Sequence, residues 1–295
     1  MAYSVNTLPD YVEQHKSELK GKAILKAKSA TILGLQTGVK GQTALNNMDV
    51  NVVFQNGASC GFNASGDTTI SQRVIDGKPV KVNMEWCPKD LLNKYLQTEV
   101  VISAKGQELP AEEVMMDEIA KGIAAKIEQT IWQGNASDGN AWTGFINLNK
   151  TGIVTSTASA ADAYGAIKTA YELIPATILD GRETAIFVGT DVYRKFIMQL
   201  MEKNLYHHPS NEGSDMEIYF PATNTKVIAL NGLNGTNKIY AGEPANFVYG
   251  CSDLDDSMEF DLFFDQSSRT FKFICEFVGG TQIRFTDEAV EVTLE

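Results

Sequence analysis

Between Pro110 and Gly134, apolar residues return every fourth position. Met115, Ile119, Ile123, Ile127 and Ile131 form one stripe with Ala120 and Ala124 beside it, and Lys121, Lys126 and Glu128 fall off it. This spacing predicts one amphipathic helix over 111–133. Pro110 suits the helix start, where a missing N–H costs no hydrogen bond. Glu112 and Glu113 offset the positive end of the helix dipole, and Gly134 is a natural stop. At about 1.5 Å per residue the rod is about 35 Å long, roughly twice an average globular helix.

Elsewhere the period is two. Val50, Val52 and Phe54 alternate with polar residues on the way out; Val80, Val82, Met84 and Trp86 alternate with Lys81, Asn83 and Glu85 on the way back. Such alternation predicts two half-buried antiparallel strands. The polar stretch between them, Asn56 to Asp76, is about four times the usual hairpin connection of roughly two to five residues. A long polar hairpin cannot offset its own ordering entropy, so it either stays loose or lies on a neighbouring subunit.

Short elements follow: a helix over 88–96, a strand over 99–103 and, after the long helix, an α/β unit from 159 to 260. There Ser159 and Asp162 resemble a capping box. Ala163, Ile167, Ala170 and Tyr171 make a helical face, 184–189 reads as a buried strand, and Asp191 caps a second helix. Long alternating strands fill 256–294 around an Asp265–Arg269 turn, with 289–294 completing their sheet. Residues 1–45 carry Lys16, Lys20, Lys22, Lys26, Lys28 and Lys40 against three acids, a short helix over 11–19 and several glycines. They read either as an arm lying on something else or as a loosely held tail.

Composition changes this picture little. The chain has 295 residues, 43% hydrophobic and 21% charged, enough for one large or two medium domains. A net charge of −12 argues against a basic DNA-reading surface. No signal peptide is read at the N-terminus, and no apolar run is long enough for a membrane span; the chain reads as soluble and intracellular. Cys60, Cys87, Cys251 and Cys275 lack metal-site spacing and read as reduced thiols, pairing being the alternative.

Candidate chemistry is sparse. No phosphate-cradling glycine loop and no nucleophile elbow is present. His207 and His208 stand beside Asn211, Glu212 and Asp215, where a metal ligand or a solvated loop are the two readings. Asp253 to Asp256 lacks calcium-loop spacing. The expectation is no enzyme, no cofactor and no metal.

The order of arm, long hairpin, long helix, α/β insert and closing long sheet resembles the major capsid proteins of tailed bacteriophages, whose Hong Kong 97-type fold encapsulins share. Supporting phrases are Ile127 to Gly134 leading to Gly144-Phe-Ile, the Ile186-to-Tyr193 strand-to-helix step and the close from Phe277 to Val290. The resemblance implies an α+β fold in five parts: an N-terminal arm, 1–45; strands and an extended loop, 46–90, with its tip at 55–80; a peripheral domain, 91–144, with its spine helix at 111–133; an axial domain, 145–255; and the peripheral domain's long sheet, 256–295. It implies a subunit that assembles into hexamers and pentamers of an icosahedral shell around double-stranded DNA, without sequence-specific binding and without a membrane. A separate scaffolding protein, a portal and decoration proteins would be its partners, and the virion, assembled in the host cytoplasm, its location. Inter-subunit contacts would fall at Cys60, Phe62, Asp67 and Arg73 in the extended loop, at His207 and His208 near the capsomer axis, and at Asp265 and Arg269. That last pair would join subunits or mark a solvent-facing turn. A Lys–Asn cross-link through Lys78 or Lys81 is disfavoured because the loop tip has no lysine. The rival readings are an encapsulin-like compartment around a cargo enzyme and an α/β enzyme using His207 and Asp191.

Overall fold

A computed structural model describes residues 12–13, 26–56, 65–87, 111–139, 141–180, 182–205, 216–252 and 259–295. The helices expected at 11–19 and 88–96, the strand at 99–103, the Asp253–Asp256 turn and the residues Cys60, Phe62, His207 and His208 lie, wholly or nearly so, outside the described residues.

The described elements in chain order are α1 (Lys28–Ile32), β1 (Gly34–Gln36), β2 (Gln42–Asn51), β3 (Asp67–Asp76), β4 (Lys78–Trp86), α2 (Ala111–Gln133), β5 (Val154–Ala158), α3 (Ala163–Glu172), α4 (Ala176–Leu179), β6 (Ala185–Gly189), α5 (Thr190–Glu202), β7 (Glu217–Tyr219), β8 (Lys226–Leu230), β9 (Lys238–Gly242), β10 (Phe247–Cys251), β11 (Glu259–Asp265), β12 (Thr270–Ile283) and β13 (Val290–Leu294).

β12 is the axis of the first sheet. Its first half pairs antiparallel with both β11 and β4, so those strands lie on opposite edges. Its second half pairs with β10, which pairs parallel with β1. The alternation in Phe271, Phe273, Cys275 and Phe277 puts all four side chains on one buried face, in one core with α2.

α2 spans the residues its periodicity predicts. Its buried face holds Met116, Ala120, Ile123, Ala124, Ile127 and Ile131, while Ile119 is half-buried, so the stripe is turned slightly from the predicted one. Glu128, expected to face solvent, is buried. The reason is α1: the Ser29 N–H and hydroxyl donate to the two Glu128 oxygens at 2.8 and 2.6 Å, and Trp132 Nε1–H donates to Ser29 Oγ at 2.7 Å. Gly134 stops the helix by close approach, since a Cβ there would stand 2.3 Å from the Trp142 carbonyl oxygen.

The second sheet has the order β5-β13-β9-β6-β8-β7. Helices α3, α4 and α5 cover one face through Ile167, Ile178, Phe196 and Leu200. Asp162 caps α3, accepting from Gly165 N–H at 3.0 Å, and Gln199 Oε1 accepts from Tyr164 N–H at 2.7 Å, in place of the expected box with Ser159. The other face meets the end of α2. Trp132 lies 5.1 to 6.4 Å, centroid to centroid, from Phe145, Phe187, Tyr240 and Phe247, so one ring joins helix and both sheets. A buried charged cluster supports the same joint: Glu291 accepts from Lys150 and Lys238 at 2.5 Å and from the Tyr240 hydroxyl at 2.8 Å. Burial alone would raise the Glu291 pKa, but those three donors hold it below its ordinary value.

Two strand assignments differ from the sequence reading. β13 does not complete the first sheet; it lies between β5 and β9 in the second. Its Val290, Val292 and Leu294 fit the core under α3, while Glu291 needs the two lysines. The partner of β2 is β3, not the stretch beginning at Val80, which is β4 in the first sheet. The chain turns at Gly77, where a Cβ would meet Val39 and the Gly41 carbonyl oxygen at 2.7 and 2.8 Å.

Candidate functional site

The β2–β3 hairpin stands on a small root. Val39, Leu45, Ile75 and Val248 form a separate buried cluster. Asn47 Nδ2 donates to the Arg284 carbonyl at 2.7 Å, and Gln282 Nε2 donates to the Val74 carbonyl at 2.7 Å. Beyond this root the hairpin leaves the subunit's body.

Ladder register separates the two faces of the hairpin. Leu45 opposite Arg73, Asn47 opposite Ser71 and Asn51 opposite Asp67 share one face. Ala44 opposite Val74, Met48 opposite Ile70 and Val50 opposite Thr68 share the other. The first face is apolar only at the root, where Leu45 is buried. The second carries Ala44, Met48, Val50, Ile70 and Val74, interrupted by Gln72 Nε2 donating to Asn46 Oδ1 at 2.8 Å, and is open to solvent: Met48 is 63% exposed and Ile70 69%. The chain then continues through Val52 and Val53 to Phe54, which is 97% exposed. A two-stranded ribbon with a bare apolar face is marginal in water, and contiguous exposed apolar surface marks an interaction site.

Lys26 and Ala27, just before α1, pack on α2. Besides Ser29 on Glu128, Lys26 pairs with Asp117, and Lys28 reaches Glu217 of β7 at 3.5 Å. This segment thus ties α2 to the second sheet.

No protein-family model matches the sequence, and no curated protein matches it either. Solved structures do. A chain of the satellite phage P4 procapsid aligns over 99% of this chain and 91% of its own, with 7% identity and a TM-score of 0.61. The virus-like particle of Pyrococcus furiosus aligns over 97% and 100%, with 11% identity and a TM-score of 0.55. The capsid of an empty GTA particle aligns over 91% and 89%, with 11% identity and a TM-score of 0.54. This chain has the Hong Kong 97-type capsid fold.

α2 spans the residues expected of the spine helix, and the β2–β3 hairpin runs across the stretch expected to hold the extended loop. That hairpin spans 42–76, starting inside the stretch read as arm and ending before the expected returning strand. Asp67 and Arg73 lie on the hairpin face opposite Met48 and Ile70. Asp67 is exposed and Arg73 half-buried, and neither forms an ion pair among the described residues.

At the Asp265–Arg269 turn, Asp265 is already engaged. It accepts from Ser267 N–H at 2.9 Å, from the Ser267 and Ser268 hydroxyls at 2.7 and 2.9 Å, and from Lys272 at 2.5 Å. Lys272 first, then the serines, hold its carboxyl well below the usual carboxylate range. Asp265 therefore shapes its own turn instead of waiting for a neighbour, and Arg269 is exposed with φ of 56°. Lys78 pairs with Asp76 at 3.1 Å.

Asp191 does not cap α5 in the expected sense. Gly189 is the N-cap, and Asp191, in the first turn, accepts from the Val192 and Gly235 N–H groups at 2.9 and 3.3 Å. Among the described residues no three His, Cys, Asp or Glu side chains group as a metal site, no disulfide forms, and no helix is long and apolar enough to cross a membrane. The apolar hairpin face was missed because the polar 56–76 stretch was read as a connection. Asp76-Gly77 followed by Pro79, a turn signal, could have revealed the extra strand.

Proposed function

We propose that this chain is the major capsid protein of a tailed bacteriophage, a shell subunit completed by copies of itself. The observation that carries this reading is the β2–β3 hairpin: its apolar face is built for burial but open to solvent in the isolated chain. The capsid fold supplies the context in which a second copy covers it. Assembly in closed symmetry lets individually weak contacts add up to a stable shell. In this reading the stretch before β2 is the arm, the second sheet with α3, α4 and α5 the axial domain, and the first sheet with α2 the peripheral domain. Arg269, Arg73, His207 and His208 are contacts between copies. The shell encloses double-stranded DNA loaded through a portal, with a separate scaffolding protein acting during assembly in the host cytoplasm. The work of the protein is assembly rather than catalysis.

Electron microscopy of the purified chain should show closed icosahedral particles, with sedimentation far above that of a monomer. A small, monodisperse oligomer would sink the shell reading. Particles from infected or induced cells should hold nuclease-protected double-stranded DNA. A protein cargo in its place would identify an encapsulin-like compartment.

A further inference from the structure

We infer that Lys150 is a reactive amine, a site at which small aldehydes form an imine, because it shares one buried carboxylate with a second lysine. The site belongs to the single subunit and stands whether or not shells form. Lys150 Nζ reaches Glu291 Oε2 and Lys238 Nζ reaches Glu291 Oε1, each at 2.5 Å. The Glu291 side chain is 5% exposed and that of Lys150 is 22% exposed. Neither lysine has another carboxylate partner among the described residues. The third donor to Glu291 is the Tyr240 hydroxyl. Burial first, then Glu291, push that hydroxyl above its ordinary value, so it stays protonated and adds no negative charge. Two amines therefore share one anion. A buried charge needs an opposite charge of its own, and a second ammonium here has none.

The two lysines resolve the surplus differently. Around Lys238 burial opposes the charged form, but the hydrogen bonds to Glu291 and Lys150 outweigh it. Around Lys150 burial and the neighbouring Lys238 outweigh Glu291, so Lys150 gives up its proton more readily than an ordinary lysine. The Tyr240 ring, 5.8 Å from Lys150 Nζ, stands at the far edge of cation–π reach. A neutral amine still donates an N–H to Glu291, so the arrangement survives loss of the proton. A lysine with a free lone pair, beside another cation and open to solvent along part of its side chain, is a nucleophile for carbonyl carbon.

The step balances without an oxidant or reductant. The Lys150 lone pair forms a C–N bond to the aldehyde carbon while the C=O π bond opens to a hydroxyl. That hydroxyl then leaves with a proton from nitrogen as one water, and the C=N bond remains. The neutral imine leaves Glu291 facing one ammonium, Lys238. An exposed lysine has no surplus charge to lose.

The test is reductive methylation of the full chain with formaldehyde and cyanoborohydride across a pH series, quantified lysine by lysine by peptide mass spectrometry. At neutral pH Lys150 should react at least about fivefold faster than Lys168, whose side chain is 56% exposed. That advantage should vanish toward about pH 10.4, where ordinary lysines also lose their protons. Lys238→Met should slow Lys150 to the rate of Lys168 or below, since Glu291 then serves one ammonium, and Lys238→Arg should keep the advantage. If Lys150 only became more accessible, Lys238→Met would speed it instead, and that result overturns the site. So does a Lys150 rate below that of Lys168 at every pH. The parent profile decides alone should Lys238→Met fail to fold.

Discussion

The β11–β12 pair and the β2–β3 pair are both long antiparallel ribbons with alternating apolar residues, and they finish differently. In β12 the apolar face is closed within the chain, in one core with α2, leaving Phe271 and Phe273 without exposure. In the hairpin the corresponding face, with Met48, Val50, Ile70 and Val74, is left open. Alternation specifies which side of a strand seeks burial, not which chain supplies the cover. The first ribbon is a fold element complete in one subunit; the second is half of an interface.

The sharpest way to break this contrast is to weaken each side in turn. Phe273→Ala removes a fully buried ring and should cost about 3–5 kcal/mol of subunit stability, read by denaturant unfolding. Glu128→Ala should cost about 1–3 kcal/mol, because the buried Ser29 N–H loses its acceptor. Limited proteolysis should then cut before α1 sooner than in the parent chain.

Asp265→Asn should act through pH. An unfolded aspartate titrates near pH 3.9, and in the folded turn Lys272 and the serines hold Asp265 lower. Its contribution is therefore full above that unfolded value and is lost as pH falls through the folded one. The melting difference between parent and variant should persist at neutral pH and shrink below about pH 4. A difference that grows on acidification would refute the assignment.

The smallest effect on the isolated subunit belongs to Met48→Ser combined with Ile70→Ser. Its stability should change by no more than about 0.5 kcal/mol, as for ordinary surface substitutions, while particles fail to form. A large loss of subunit stability would mean that the hairpin face is covered within its own chain.

The α2 rod was legible to its end residues because an apolar residue every fourth position survives any tertiary context, and the Phe271–Phe277 alternation was legible for the same reason. What could not be read were pairings between residues far apart in the chain. Glu128 looks like a surface acid until Ser29, 99 positions away, is placed against it. Glu291 looks like an outward strand residue until Lys150 and Lys238 close on it. The hairpin was misread because neither of its strands, beyond the root, has a buried side from which to infer a register. A residue such as Ile70 among threonines, serines and glutamine gives too weak a period to distinguish strand from connection.

Trp132 lies near the last turn of a rod whose other end is about 30 Å away. A tilt of about 5° at that ring would carry Ala111 through roughly 2.6 Å, about half of one helical turn's rise. The four aromatic neighbours that enclose the indole thus act as the bearing of a lever. The packing around one indole sets the direction of the whole rod, and a change of ring size there would be felt at the far end of the helix.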